Sequence, residues 1–432
     1  MGGGSTKKAA AGALCALALC AAPALGDDVR LVAGPPADSP SSSDAKLPAV
    51  AKRGGEAGYL VAYAVPVGPE GDADHEVHTR ILGQDGRPLS EPVRVSKFGP
   101  SRNRTYEIAS VALVHDDRRD RFLLAYTGMR EGNERTVSAR FARLLDRKGR
   151  PAGPTLRLTR DISTPYGLGE EDAAYDPVTR TFLVVFTDPV KRGAPQSRLI
   201  DAHGSLIGAH ALTGPNLLAG SPAVAANRRS GRYLVAWGEE ERLAAATVDP
   251  RRGPSRPHRV ALRPPPRSHR GEESDDVTEP ALAFDSERGE LGLAWSSSDT
   301  LAQVILFQRL SGDGRRALGS PLAVSEPSSS DQFQTDPAIA FGSGDATFTI
   351  AWEDFEMSTS APLCSEQRVH VRRVRSGGRR VGREPETLSA GSGSGFGQCG
   401  PWPTRPTVAP GPFGRGFAAL WALSPEIHGT VR

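Results

Sequence analysis

Apolar and polar positions along this chain fall into a unit that recurs seven times. In residues 222–237, PAVAANRRSGRYLVAW, small apolar residues lead into a basic turn, and a second apolar run ends on Trp237. Matching small pairs are Val50-Ala51, Val111-Ala112, Ala173-Ala174, Val224-Ala225, Leu282-Ala283, Ile339-Ala340 and Val408-Ala409. The closing aromatics are Tyr63, Tyr126, Phe186, Trp237, Trp295, Trp352 and Trp421. The interval from the second residue of the pair to the aromatic is 12 in six copies and 14 in the second. Four residues before the aromatic stand Tyr59, Phe122, Phe182, Tyr233, Leu291, Phe348 and Phe417. Pro leads five copies, at 48, 222, 280, 337 and 406. Short apolar runs bounded by turn residues read as strands, and a kept period is the mark of a repeat architecture.

Each copy continues past the aromatic into a variable loop and a third apolar run, such as VHTRIL (77–82), VSARFARLL (137–145), VILFQRL (304–310) or VHVRRV (369–374). A Gly-bearing turn follows: Asp85-Gly86, Lys148-Gly149, His203-Gly204, Asp313-Gly314 or Gly377-Gly378. Glycine accepts positive φ, which tight hairpins need. A fourth short run closes the unit: VRVS (93–96), LRLT (156–159) or LAVS (322–325). Four strands per repeat describe a propeller blade. The pattern therefore predicts an all-β, seven-bladed β-propeller over residues 27–432. Its blades begin near 47, 107, 170, 221, 279, 336 and 405.

The seventh copy stops at Arg432 without a fourth strand. DDVRLVAG (27–34) contains a run that matches the missing strand, and a Pro- and Ser-rich linker (35–45) follows it. Val29 to Val32 are expected to complete blade seven and remove the open sheet edge that a propeller must cover. These repeats resemble the β-propeller repeats of secreted bacterial proteins of the P-x-V-A … Y-L-V-V-W kind, over nearly the whole chain after residue 26. A Trp-Asp repeat ending, a kelch Gly-Gly pair and an S-x-D-x-G-x-T-W box are absent from the sequence. The resemblance implies architecture more than chemistry.

The first 26 residues read differently. Lys7 and Lys8 precede an apolar stretch (9–22) too short to span a bilayer, and Ala24-Leu25-Gly26 supplies small residues before Asp27. This is the pattern of a secretory signal peptide, and it predicts a secreted, periplasmic or surface location. Lipidation at Cys20 is the alternative, although Leu19 precedes it where a small residue is expected. Two of the 53 basic residues fall in this segment, leaving 51 against 50 acidic. That balance argues against a nucleic-acid partner. No transmembrane segment, cofactor motif or oligomerisation signal follows, so a monomer is expected. Of the 4 Cys, only Cys364 and Cys399 remain; in an exported chain they are expected to form one disulfide, and topology puts both on one face.

Function is expected on that face, where the long second-to-third and fourth-to-first loops emerge. Candidate ligand contacts are Trp402, the one Trp outside the repeat register, Tyr166, and the acids Glu353 and Asp354 that open a loop after Trp352. Asp188, Glu239 and Glu240 occupy similar positions. Asp74, Glu76 and His78 alternate as metal ligands do, yet His78 shares its register with His370 and His428, which points to a structural role. No metal is expected. Gly395, Gly397 and Gly400 fit G-x-G-x-x-G, but PWPTRP after them cannot start the helix a nucleotide site needs. The sequence points to a non-enzymatic module that binds a protein or glycan. The alternative is a secreted carbohydrate-active hydrolase or lyase with carboxylates at the channel mouth, which needs two such groups in proximity.

Overall fold

The computed structural model describes residues 29–30, 46–54, 58–67, 74–97, 106–130, 136–164, 170–191, 193–213, 220–239, 242–260, 277–299, 302–326, 332–356, 366–391, 403–423 and 426–432. They form seven antiparallel sheets set as the blades of a β-propeller. Blade four shows the plan: an inner strand at Ala223–Asn227, then Arg232–Glu239, Arg242–Asp249 and short outer strands at Gly253–Pro254 and His258–Arg259. Fourth strands are often only two residues long, as at Val93–Arg94, Leu156–Arg157 and Leu322–Ala323. Blade six is the fullest, with an outer strand over Arg380–Gly391.

The five predicted glycine turns all hold their glycine at positive φ: Gly86 at 80°, Gly149 at 74°, Gly204 at 85°, Gly314 at 73° and Gly378 at 84°. The ring closes as the N-terminal run implied. Val29 pairs with Gly429 and Arg30 with His428, so the chain start supplies the fourth strand of the last blade. A chain beginning at residue 35 is expected to melt well below the full-length protein. A thermal scan that finds the two equal would show that the ring does not depend on this pairing.

One register differs from the sequence reading. In six blades the closing aromatic stands opposite the residue two before the small pair; Trp237, for instance, faces Pro222 by continuation of Ala223 opposite Ala236. In blade two Tyr126 pairs with Val111. The structural counterpart of the small pair there is Leu113-Val114, not Val111-Ala112. The interval to the aromatic then becomes 12, as elsewhere. The inner strand of this blade covers Tyr106–Asp116, and its hairpin, with Asp116 opposite Arg121, stands where Asn227 opposite Arg232 stands in blade four.

The buried aromatics join blades rather than fill them. Seven apolar clusters occur among the described residues, each spanning two neighbouring blades. The closing aromatic of each blade lies in the cluster shared with the blade before it. Trp237 packs on Leu183 and Val185 of blade three, Trp352 on Ile305 and Phe307 of blade five, and Tyr63 on Leu420 of blade seven. The aromatics four residues earlier lie in the same clusters, because a strand returns to the same face every second residue. Blade five has Leu291 in place of that aromatic. Beside it, a Cβ added to Gly292 would sit 2.5 Å from the Phe348 ring, so glycine there lets blade six close in. Each fully buried ring contributes roughly 2–3 kcal/mol.

Candidate functional site

The inner strands converge on a cavity of about 660 Å³ at one end of the propeller axis. Each blade contributes four consecutive residues: 47–50, 110–113, 170–173, 221–224, 279–282, 336–339 and 405–408. They come from the start or the middle of each inner strand, not from its end. The cavity therefore opens on the face of the fourth-to-first loops, the face chosen from the sequence.

The first residue of each contribution precedes the repeat's proline or its counterpart. Around the ring these are Leu47, Ser110, Glu170, Ser221, Glu279, Asp336 and Arg405. Backbone geometry turns several of them towards the axis. The ladder slips by one residue between Lys46 and Ala49, Thr278 and Ala281, Thr335 and Ala338, and Thr404 and Thr407. Such bulges re-aim a side chain. Within them Leu47, Glu279, Asp336 and Arg405 hold φ of 59°, 53°, 49° and 50°. Non-glycine residues rarely adopt this region, and a residue before proline normally stays extended. Each costs on the order of 1–3 kcal/mol. Leu47 shares the geometry without any charge, so the bulge is a device of the repeat. What is particular to this chain is the charge mounted on it.

Hydrogen bonds run from blade to blade around the mouth. Asp336 donates its backbone N–H to Glu279 Oε2 at 2.8 Å, and Arg405 donates its own to Glu353 Oε1. Glu170 donates its backbone N–H to Ser221 Oγ at 3.1 Å, and Val224 donates to Asp172 Oδ2 at 2.8 Å. Across the ring, the Arg405 guanidinium pairs with Glu170 Oε1 at 2.7 Å. Deeper in the wall, Glu171 accepts from Ser110 and Thr127 and faces the buried Arg140 at 3.8 Å. That guanidinium also lies 4.6 Å over the Phe186 ring.

This crowding holds protons. Burial, followed by the charges of Glu279, Glu353 and Glu170, pushes the Asp336 carboxyl up to about 8 against the pull of Arg405. Burial raises Glu353 to about 7, although the Arg405 N–H and charge oppose it. Glu279 is also raised, chiefly by burial. Asp172 rises to about 6 by burial, opposed by the N–H groups of Val224 and Ala173. At neutral pH Asp336 therefore keeps its proton, in the same mouth as the Glu170–Arg405 pair.

The residues expected from the sequence are divided by the structure. Glu353 reaches the mouth through its bond to Arg405. Asp354, next to it on the same strand, points to the other side, as strand alternation requires. It is buried among Gln332, Gln334 and His370. Gln332 Nε2 donates to both its oxygens at 2.7 and 2.6 Å, and His370 Nε2 lies 3.3 Å away. Burial would raise its pKa, but these bonds outweigh it and keep Asp354 ionised. Glu239 accepts from the Trp237 indole at 2.8 Å, and Asp188 caps Val190 N at 3.1 Å. Trp402, Tyr166, Cys364 and Cys399 lie outside the described residues. Glu76 is buried against Ser96 and pairs with Arg94. His78, His370 and His428 each sit cross-strand from their blade's aromatic, with ring centroids 6.4, 5.6 and 6.4 Å apart. That is the shared structural role their common register implied.

Glu170, Glu279, Asp336 and Arg405 were missed in the sequence. Their signal was present: three of the five proline-led copies carry a charged residue immediately before the proline.

Among the described residues no helix is long and apolar enough to cross a membrane. No family model and no curated protein matches the sequence. Among solved structures, the intramolecular trans-sialidase from Ruminococcus gnavus is 8% identical, over 90% of this chain and 94% of its own, with a TM-score of 0.43. An endo-arabinase from Bacteroides thetaiotaomicron is 14% identical over 60% of this chain and 91% of its own, with a TM-score of 0.37. A prolyl endopeptidase is 10% identical over 88% of this chain and 46% of its own, with a TM-score of 0.45. Likenesses at this level carry no argument about what the chain does.

Proposed function

We propose that this protein is an exported carbohydrate-active hydrolase that works at the acidic mouth of its axial channel. One observation carries the reading: Asp336, held protonated near neutral pH, and Glu170, paired to Arg405, line the same cavity. Glycosidic bond hydrolysis asks for that asymmetry. One carboxyl must give a proton to the leaving oxygen while another acts as base or nucleophile, and such roles are set by environments that push pKa values apart. Asp336 is the general acid in this scheme. Burial first, and then the field of Glu279 and Glu353, keeps it protonated, and Glu170 takes the second role. The export pattern of residues 1–26 supports a polymeric substrate met outside the cytoplasm.

The test is release of reducing ends from a panel of neutral, amino and acidic oligosaccharides by the purified protein. Turnover of one class is expected, lowered by about 10²–10⁴ in Asp336→Asn with the fold intact. Saturable glycan binding without reducing ends would instead support a non-enzymatic binding module at the same mouth. Neither binding nor cleavage across the panel would defeat both readings.

A further inference from the structure

A second cavity, of about 400 Å³, opens at the other end of the propeller between blades four and five. The inner strand of blade four joins the two sites: its start lines the axial mouth, and Asn227 at its end lines this one. Three arginines line the cavity, Arg232, Arg252 and Arg315. Two carboxylates border it as well, but both are engaged within their own turns. Asp249 accepts from the Arg251 N–H at 2.9 Å and from Arg232 Nε at 3.3 Å. Asp313 accepts from Ser311 Oγ at 2.6 Å and from the Arg315 N–H at 3.1 Å. The Arg251 N–H holds Asp249 below its ordinary range, and the Ser311 hydroxyl does the same for Asp313. Both the Arg252 and Arg315 side chains are exposed, and Arg315 also lies near enough to Asp313 to help lower its pKa.

The floor beneath these cations is tied. Asn227 Nδ2 donates to Gly312 O at 2.8 Å, joining the turns of the two blades. Asn227 Oδ1 in turn accepts from the N–H groups of Arg229 and Ser230 at 3.0 and 3.2 Å. Arg229 reaches across to Ser286 O at 3.0 Å. A cleft with a fixed floor, lined by three arginines against two aspartates, matches what oxyanions require, since the guanidinium fork fits two oxygens at once.

We propose that the cleft between blades four and five binds a compact oxyanion, a phosphate or sulfate ester, through Arg252 and Arg315 with Arg232 in support. The site is separate from the axial mouth and stands whether or not that mouth is catalytic. Its ligand has the same sign as the carboxylates there, which would repel it, so one small anion would not serve both.

Isothermal titration of the full-length protein at low salt with glucose 6-phosphate, glucose 6-sulfate and glucose tests this. Both esters should bind saturably and glucose should not; a preference between the two esters identifies the group. The Arg252→Gln/Arg315→Gln double variant should lose at least about tenfold in affinity, as removal of paired charge-assisted contacts implies. Arg150→Gln, which removes an exposed Arg paired with Asp146 in another blade, should bind as the parent does. Absence of saturable ester binding, equal binding of glucose, or an equal loss in Arg150→Gln would overturn the proposal. Unchanged affinity in the double variant, with its melting temperature unchanged, would do so too.

Discussion

Trp237→Ala is expected to destabilise the protein by about 3–5 kcal/mol, the range for deleting a fully buried aromatic. Trp237 is 0% exposed. Its ring is the largest side chain in the cluster between blades three and four, against Leu183, Val185 and Val224. Its indole N–H donates to Glu239, which would lose that donor. The loss is not confined to one blade. Each blade is held by two apolar interfaces, so a cavity in one loosens both blades that share it. Urea denaturation should show a lower midpoint for Trp237→Ala. Trp237→Phe should fall between, because it keeps most of the apolar volume and loses the indole bond. A midpoint for Trp237→Ala within error of the parent would mean that the blades are held chiefly by their ladders.

The same residue shows why the fold was legible and the site was not. Burial at a blade interface imposes a size and a spacing, and seven interfaces impose them seven times. Trp237 and its counterparts therefore announce themselves by position. Even the slip in blade two arose because Val111-Ala112 satisfies the small-pair pattern as well as Leu113-Val114 does; only strand pairing separates them. The mouth obeys a different rule. At the position before the proline the residue lines the axial cavity rather than an interface between blades, so Leu47, Ser221 and Asp336 are equally acceptable to the fold. No periodicity marks the acidic ones. Glu353 and Asp354 were indistinguishable as neighbours in a chain, and strand alternation sent one to the mouth and the other into a blade.

The acids at the mouth should also leave a signature in stability against pH. Asp336 has an ordinary value of 3.8 and rises to about 8 in the folded protein. Between those values the folded form keeps a proton that the unfolded chain has released. Stability must therefore fall as pH rises through this window, because the unfolded state binds fewer protons. The contribution is whole below pH about 4 and gone above about 8. Glu353, raised from 4.5 to about 7, acts in the same direction over a narrower window. Melting temperature should thus decline from pH 5 to pH 9. Asp336→Asn, neutral at every pH, should flatten that decline and melt higher than the parent at pH 9. Glu353→Gln keeps a carbonyl oxygen to accept the Arg405 N–H but removes a charge that repels ionised Asp336. Its effect on turnover follows: the alkaline limb of the rate profile, set by loss of the Asp336 proton, should move to lower pH. Asp336→Asn should cost about 10²–10⁴ in rate, the usual worth of a positioned general acid. A Glu353→Gln limb unmoved from the parent's would mean that the two carboxyls do not share a field, and the acid would have to be sought among Glu279 and Asp172.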